Sequence, residues 1–351
     1  MLTYEILLEM RYANQYHVLC RRLHKEAERR KRKKEWLRNT PLYLREWGQA
    51  SAASIPTPKY DDEAPVDFRF LVNTKECAVF FKRIRKAGMS GISSYRINME
   101  NVQHIDFAST MLLSAIGEEL LNNSCSLSGN SPKRSECEKY LKESGFFNKL
   151  FDQNGRRFPS ATGSEFVTVE RGQYKLTSQH YKAFRELVRH IKLHMLGHTT
   201  NTRMHNTIIK EICANSVEWS EADKSQWTLG AKFENDKVII VALDLGKGIL
   251  EKLFIDYWEH IKNFISFKSD ADILYGAFEQ KYGSTALESN RNRGLPCVKA
   301  AMDDGNIKEL KVVTNNSIID FLNGENKMFA KHRGTFNGTL YSWRIDKNCL
   351  L

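Results

Sequence analysis

Two short stretches carry residue types that could do chemistry together: "EICAN", residues 211–215, and "DLGKG", residues 244–248. Glu211 and Asn215 stand four apart, so on a helix they share one face, while Ile208, Ile209 and Ile212 supply an apolar one. A glutamate can orient or deprotonate a water. An asparagine can ligate Mg²⁺ through its carbonyl oxygen. The run "KVIIVALD" reads as a buried strand that ends at Asp244, where a carboxylate can accept a hydrogen bond from an exocyclic amino group. Gly246 and Gly248 then allow a turn that a flat ring or a phosphate can approach closely. In "SNRNRGLPCVKA", Gly294 and Leu295 stand where a helix begins, with Arg291 and Arg293 just before them, an arrangement that suits phosphates. "FNGTLYSW" places Thr339 after Gly338 near the start of a late strand. The plainer alternative makes Glu211 a surface residue, Asn215 a cap and Asp244 a turn residue.

The elements that must position these residues follow from hydrophobic periodicity. "SQHYKAFRELVRHIKLHML" and "TRMHNTIIKEICANSVEWS" read as two helices. "QWTLGAKFENDKVIIVALDLG" reads as a β-hairpin turning around "END". A lid-like segment occupies about 250–290. "NRGLPCVKAAMDDG" reads as a helix entered through glycine, and "ELKVVTNNS" and "GTLYSWRI" as strands. His190, His194 and His198 fall at i, i+4 and i+8, a spacing that can bind a metal, but no acidic partner accompanies them and packing or surface roles are expected.

Upstream, residues 66–152 alternate strand and helix signals. "VDFRFLVN" reads as a strand, "KECAVFFKRIRKAG" as a helix, "SYRINMENV" as a strand, "FASTMLLSAIGEELLNN" as a helix, "SCSLSGNS" as a strand and "SECEKYLKESGFFNKLF" as a helix. That alternation implies an α/β domain. Residues 153–175 read as a loop holding one strand, "EFVTVERG". Residues 1–60 read as a helical arm and a linker rich in Ala, Ser and Pro. Within the arm, residues 21–38 carry ten Lys/Arg and three Glu, most of the net charge of +11. Such a block suits nucleic acid phosphates or acidic lipid by counterion release. The alternative is a solvated helix extension.

At 41% hydrophobic and 27% charged, the 351-residue chain has a globular balance, without an apolar run long enough to span a membrane. No secretory signal is apparent at its start. The seven cysteines are scattered, without a C-x-x-C pair, which excludes a zinc ribbon of that spacing and leads us to expect reduced thiols in a cytoplasm.

"NVQHIDFASTMLLSAIGEELL" resembles the centre of a STAS-type domain, the fold of anti-anti-sigma factors. Asp106 matches the Asp that ends a strand in that family. Ala108 stands where active members carry the phosphorylatable Ser, and Ser109 where they carry Gly, so the resemblance implies the fold without that acceptor. Ser109 and Thr110 are expected as helix N-caps.

The motifs of the second half, taken in order, resemble the GHKL ATPase superfamily, which includes sensor histidine kinases, anti-sigma-factor serine kinases, gyrase-type topoisomerases, mismatch-repair ATPases and heat-shock chaperones. "EICAN" matches its N box, "DLGKG" its D-x-G-x-G box, "NRGLP" its second glycine box without the usual G-x-G, and "GT" its terminal Thr. The resemblance covers roughly 175–348. It implies ATP and Mg²⁺ as cofactors. Asn215 would hold Mg²⁺, Glu211 would act on the attacking water or acceptor hydroxyl, and Asp244 would read adenine N6 with Thr339 beside it. Gly246 and Gly248 would shape the adenine wall, and Arg291, Arg293, Gly294 and Leu295 would close over the phosphates. The segment "ADILYGAFEQKYGSTALESNRNRGLPCVKA" resembles the lid of the anti-sigma and stand-alone members. No phosphoacceptor His box precedes the N box, which argues against a sensor histidine kinase.

The expected architecture is therefore α/β (α+β) with three parts. Residues 1–60 form the basic arm, 61–155 a STAS-like domain, and 170–351 a GHKL-type sandwich of a mixed sheet covered by helices on one face. The function implied is a cytoplasmic regulatory ATPase whose nucleotide controls domain or partner contacts, with a protein partner and a homodimer as further expectations. Two alternatives stay open: a Ser/Thr protein kinase acting on a partner, and a nucleic-acid-associated module, in stress response or phage defence, using residues 21–38.

Overall fold

The computed structural model describes residues 61–144, 166–173, 176–199, 203–218, 226–256, 268–279 and 294–351. All lie in one compact unit, formed by residues 59–151 and 157–351. The basic arm, Arg291 and Arg293, and most of the lid-like segment lie outside the described residues. The fold is mixed α+β.

The first part is a small parallel α/β arrangement. β3 (Ser94–Asn98) lies between β1 (Asp62–Glu63) and β5 (Ser126–Gly129), parallel to both. β2 (Asp67–Phe68) pairs in parallel with β4 (His104–Ile105). The strand expected over 66–73 shrinks to two residues because Asp67 bends the chain. Its carboxylate accepts from the Arg69 backbone N–H at 3.2 Å and from the Arg69 guanidinium at 2.8 and 2.7 Å. This local capture offers the backbone an alternative to the ladder.

Helices α1 (Thr74–Met89), α2 (Phe107–Asn122) and α3 (Ser135–Glu143) accompany these strands. The cap of α2 is Asp106, not Ser109 or Thr110. Its Oδ1 accepts from the Ser109 N–H at 2.7 Å and its Oδ2 from the Leu71 N–H at 3.0 Å. Burial raises the Asp106 carboxyl above its usual range, against the pull of these N–H groups. Ser109 is fully buried: its hydroxyl donates to Phe68 O at 2.5 Å and accepts from the Phe70 N–H at 2.9 Å.

The second part is a seven-stranded sheet in the order β11-β10-β9-β12-β8-β7-β6. Its strands are β6 (Phe166–Gln173), β7 (Gln226–Phe233), β8 (Lys237–Asp244), β9 (Lys308–Asn315), β10 (Ser317–Asp320), β11 (Glu325–Met328) and β12 (Phe336–Asp346). Every neighbouring pair is antiparallel, not mixed as expected. Tight turns join β7 to β8, β9 to β10 and β10 to β11, and a tight turn can only reverse a strand. The β10–β11 hairpin was not anticipated. Its signal was Asn323–Gly324, with Gly324 at φ 63°.

Both faces of the sheet are covered, where one was expected. Val238, Ile240 and Ala242 of β8 pack with helices α4 (Ser178–Leu196) and α5 (Arg203–Glu218). Val241 and Leu243 point the other way and pack with α1 and α2 of the first part. Alternate residues of a strand face opposite sides, so an unbroken apolar run such as "VIIVAL" needs cover on both. Each fully buried Leu or Val contributes about 1.5–3 kcal/mol, and the sheet thus carries one apolar cluster on each face. Helices α6 (Ile249–Asp256), α7 (Asp270–Phe278) and α8 (Gly294–Asp303) complete the side on which α4 and α5 lie.

His190 and His194 of α4, and His198 just past its end, serve separate ends. His194 bonds Glu234 O at 2.7 Å, His198 bonds Leu196 O at 3.1 Å, and His190 lies against Arg189. The six described cysteines are unpaired as disulfides. Among the described residues no helix is long and apolar enough to cross a membrane.

Candidate functional site

Asp244 closes β8 and is fully buried. It pairs with Thr339 of β12 on one side and Trp227 of β7 on the other. Its Oδ1 accepts from the Gly246 N–H at 2.9 Å, which starts the turn out of the strand. Gly248 completes that turn at φ 83°, and a Cβ there would lie 2.7 Å from Thr314 Oγ1 and collide with Asn315 Oδ1. Only glycine fits both the angle and the space.

Thr314 and Asn315, buried at the end of β9, hold the turn from below. Thr314 Oγ1 accepts from the Ile249 N–H at 3.0 Å and donates to Gly338 O at 2.9 Å. Asn315 Oδ1 accepts from the Leu250 N–H at 3.1 Å, and its Nδ2 donates to Lys247 O at 2.7 Å. Side chains thus take up N–H groups that open α6, so the start of that helix is not itself an anion site. Thr339 Oγ1 lies 3.4 Å from Thr314 Oγ1.

The second wall comes from α5. Asn215 is buried, 7% exposed, with its Nδ2 reaching no hydrogen-bond partner. Its amide sits against the first residue of α8: a Cβ on Gly294 would lie 2.6 Å from Asn215 Oδ1. Tyr341 of β12 is fully buried and bridges the walls, facing the Asn215 side chain and within electrostatic reach of Asp244. Burial first, then the Asp244 carboxylate, push the Tyr341 phenol above its usual range, while Asn215 pulls it back. One turn earlier, Glu211 is half-buried, 3.8 Å from Lys210, and its charge acts on Cys297 of α8.

The structure therefore brings Asn215, Gly294, Asp244, Gly246, Gly248 and Thr339 into one connected cluster, with Glu211 at its rim. Leu295 follows Gly294 but places its side chain in the core under α5 and the sheet. Arg291 and Arg293 lie outside the described residues. Three members of the cluster were not foreseen: Thr314, Asn315 and Tyr341. The signal for the first two was a polar pair following the buried Val312 and Val313, a pattern that makes sense only where the polar groups have partners. A buried carboxylate beside a tight turn can read a donor on a flat ligand; one helix away, the Asn215 Oδ1 can ligate a cation, and its unpartnered Nδ2 can donate to a ligand oxygen.

Gly248→Ala is expected to destabilise the protein by about 2–4 kcal/mol, from a left-handed residue that gains a Cβ together with loss of the caps of α6. Urea unfolding measures it; an unchanged midpoint would mean that the turn tolerates a side chain.

No family model and no curated protein matches the chain. Among solved structures, one titled "Mycobacterial sensor histidine kinase MprB" aligns with 50% of this chain and 97% of its own, at 12% identity and a TM-score of 0.24. A likeness at that score fixes neither the fold nor the function.

Proposed function

We propose that residues 170–351 form a GHKL-type ATP-binding domain, that residues 61–155 are a STAS-like layer packed on its sheet, and that the protein is an ATP-dependent regulator. The observation that carries this reading is the convergence of Asn215, Gly294, Asp244, Gly248 and Thr339, which stand far apart in sequence, on one buried polar cluster. A buried amide without a partner costs about 1–3 kcal/mol, and a protein keeps such a group more readily where a ligand satisfies it. The Asn215 carbonyl oxygen fits the hard oxygen donors that Mg²⁺ takes, and the buried Asp244 carboxylate fits the amino donor that adenine would bring. Asp244 accepts from the exocyclic amino group of adenine, and Thr339 with Thr314 fixes that edge. Asn215 would supply a carbonyl oxygen to Mg²⁺, which would neutralise phosphate charge. Glu211, half-buried at the rim, orients the water or hydroxyl that attacks.

The first part takes the role of a sensor or output layer. Ser109 donates to Phe68 O and accepts from the Phe70 N–H, both buried, so its hydroxyl is committed to the fold and is not offered to a kinase. Regulation then passes through packing against the sheet.

The test uses the full chain with Mg²⁺ and γ-labelled ATP, following label into free phosphate and into protein. Free phosphate supports an ATPase switch. Label on the protein or on an added partner makes it a kinase. Absence of any ATP binding overturns the reading.

A further inference from the structure

Arg85, near the end of α1, is a residue of the first part that reaches the site of the second. Its side chain is only 12% exposed. Nε and Nη2 donate to the two carboxylate oxygens of Glu119 on α2, at 2.6 and 2.8 Å. The remaining donors cross to the sheet. Nη2 donates to Leu245 O at 2.8 Å, and Nη1 donates to Asn337 O at 2.8 Å. These two carbonyls are not arbitrary. Leu245 lies between Asp244 and Gly246. Asn337 lies two residues before Thr339, inside the register shift that β12 makes against β9 between Phe336 and Thr339. A bulge of this kind aims the residues that follow it. One guanidinium, held by Glu119, therefore ties together the backbones that present Asp244 and Thr339.

We propose that Arg85 is a positioning residue which sets the base selectivity of the site from the opposite face of the sheet. The inference rests on the nucleotide reading above. Asp244 and Thr339 can read an amino group only while β8 and β12 hold their relative height. The Arg85 fork spans both strands where they leave their pairing at that end. The planar guanidinium meets three partners at once, a geometry that lysine cannot reproduce. The same link works in reverse: a ligand that fixes Asp244 and Thr339 also fixes Leu245 O and Asn337 O, and so biases α1 and α2. This gives the first part a physical route to sense the occupancy of the second.

The experiment measures binding of ATP and of ITP, whose base carries a carbonyl in place of the amino group, by titration calorimetry with Mg²⁺. Wild type is expected to prefer ATP. Arg85→Met is expected to lose about tenfold of that preference, a coupling of the size usual between linked sites. Lys82→Met, which removes an exposed charge from the same helix, is expected to keep it. A merely structural role for Arg85 would lower the melting temperature and leave the ATP-to-ITP ratio of the folded protein unchanged, and that result would overturn the proposal. Should Arg85→Met fail to fold, Glu119→Gln leaves the guanidinium in place with a weakened anchor and is expected to lower the ratio in the same direction; an unchanged ratio there overturns the proposal too. Failure of wild type to bind either nucleotide overturns the underlying reading itself, whereas selective binding by wild type with unaltered selectivity in Arg85→Met overturns only the role of Arg85.

Discussion

Asp244→Asn is expected to weaken ATP binding about a hundredfold while the protein stays folded. The substitution keeps an oxygen that can accept the Gly246 N–H, so the turn survives. It replaces the other carboxylate oxygen by an NH₂ group. Against the amino group of adenine, it would set a donor against a donor. One such mismatch costs about 1–3 kcal/mol, and the upper end corresponds to roughly a hundredfold in affinity. Stability is expected to change little, because the change also removes a charge from a fully buried position. Calorimetric titration with ATP and a melting curve measure the two effects. Affinity equal to wild type would remove Asp244 from the site. A collapsed melting curve would make it a structural carboxylate.

Much of the second part was legible because its signals are local. The hairpin of β7 and β8 shows in its alternation around "END", α4 keeps the boundaries that its periodicity implied, and α5 lies within the span expected for it. The candidate residues were legible one at a time, since Glu211 and Asn215 share a helix face at any register. What joins them was not. Tyr341 reads as one more apolar residue of a strand, and only the pairing of β12 beside β8 turns it into the link between Asn215 and Asp244. Thr314 and Asn315 cap a helix that begins 65 residues earlier in the chain, a distance over which no pattern in sequence operates. The error over the faces of the sheet has a similar origin. "KVIIVALD" says that both sides need cover, but not that α1 and α2 supply it. The strand expected at 66–73 failed for a local reason, the capture of Arg69 by Asp67, which the pair of charges could have suggested.

Replacing Asn215 by Leu together with Tyr341 by Phe is expected to leave stability equal or higher and to abolish binding that depends on Mg²⁺. Leucine is close to isosteric with asparagine, so the approach of Gly294 is preserved. The two are changed together because both are buried polar groups facing each other, so that neither polar side chain is left in the apolar surroundings the double change creates. Replacing both partners of a buried polar pair by apolar groups of the same shape is near neutral or stabilising. Nδ2 of Asn215 and the Tyr341 hydroxyl each reach no hydrogen-bond partner, so their removal relieves a cost. A gain of about 1 kcal/mol would raise the melting temperature by roughly 2–4 °C for a domain of comparable size. A gain in stability with loss of Mg²⁺-dependent nucleotide binding is the signature of a residue kept for a ligand. A loss of several kcal/mol in the double variant would show instead that the pair supports the fold, and Asn215 would leave the list of ligands.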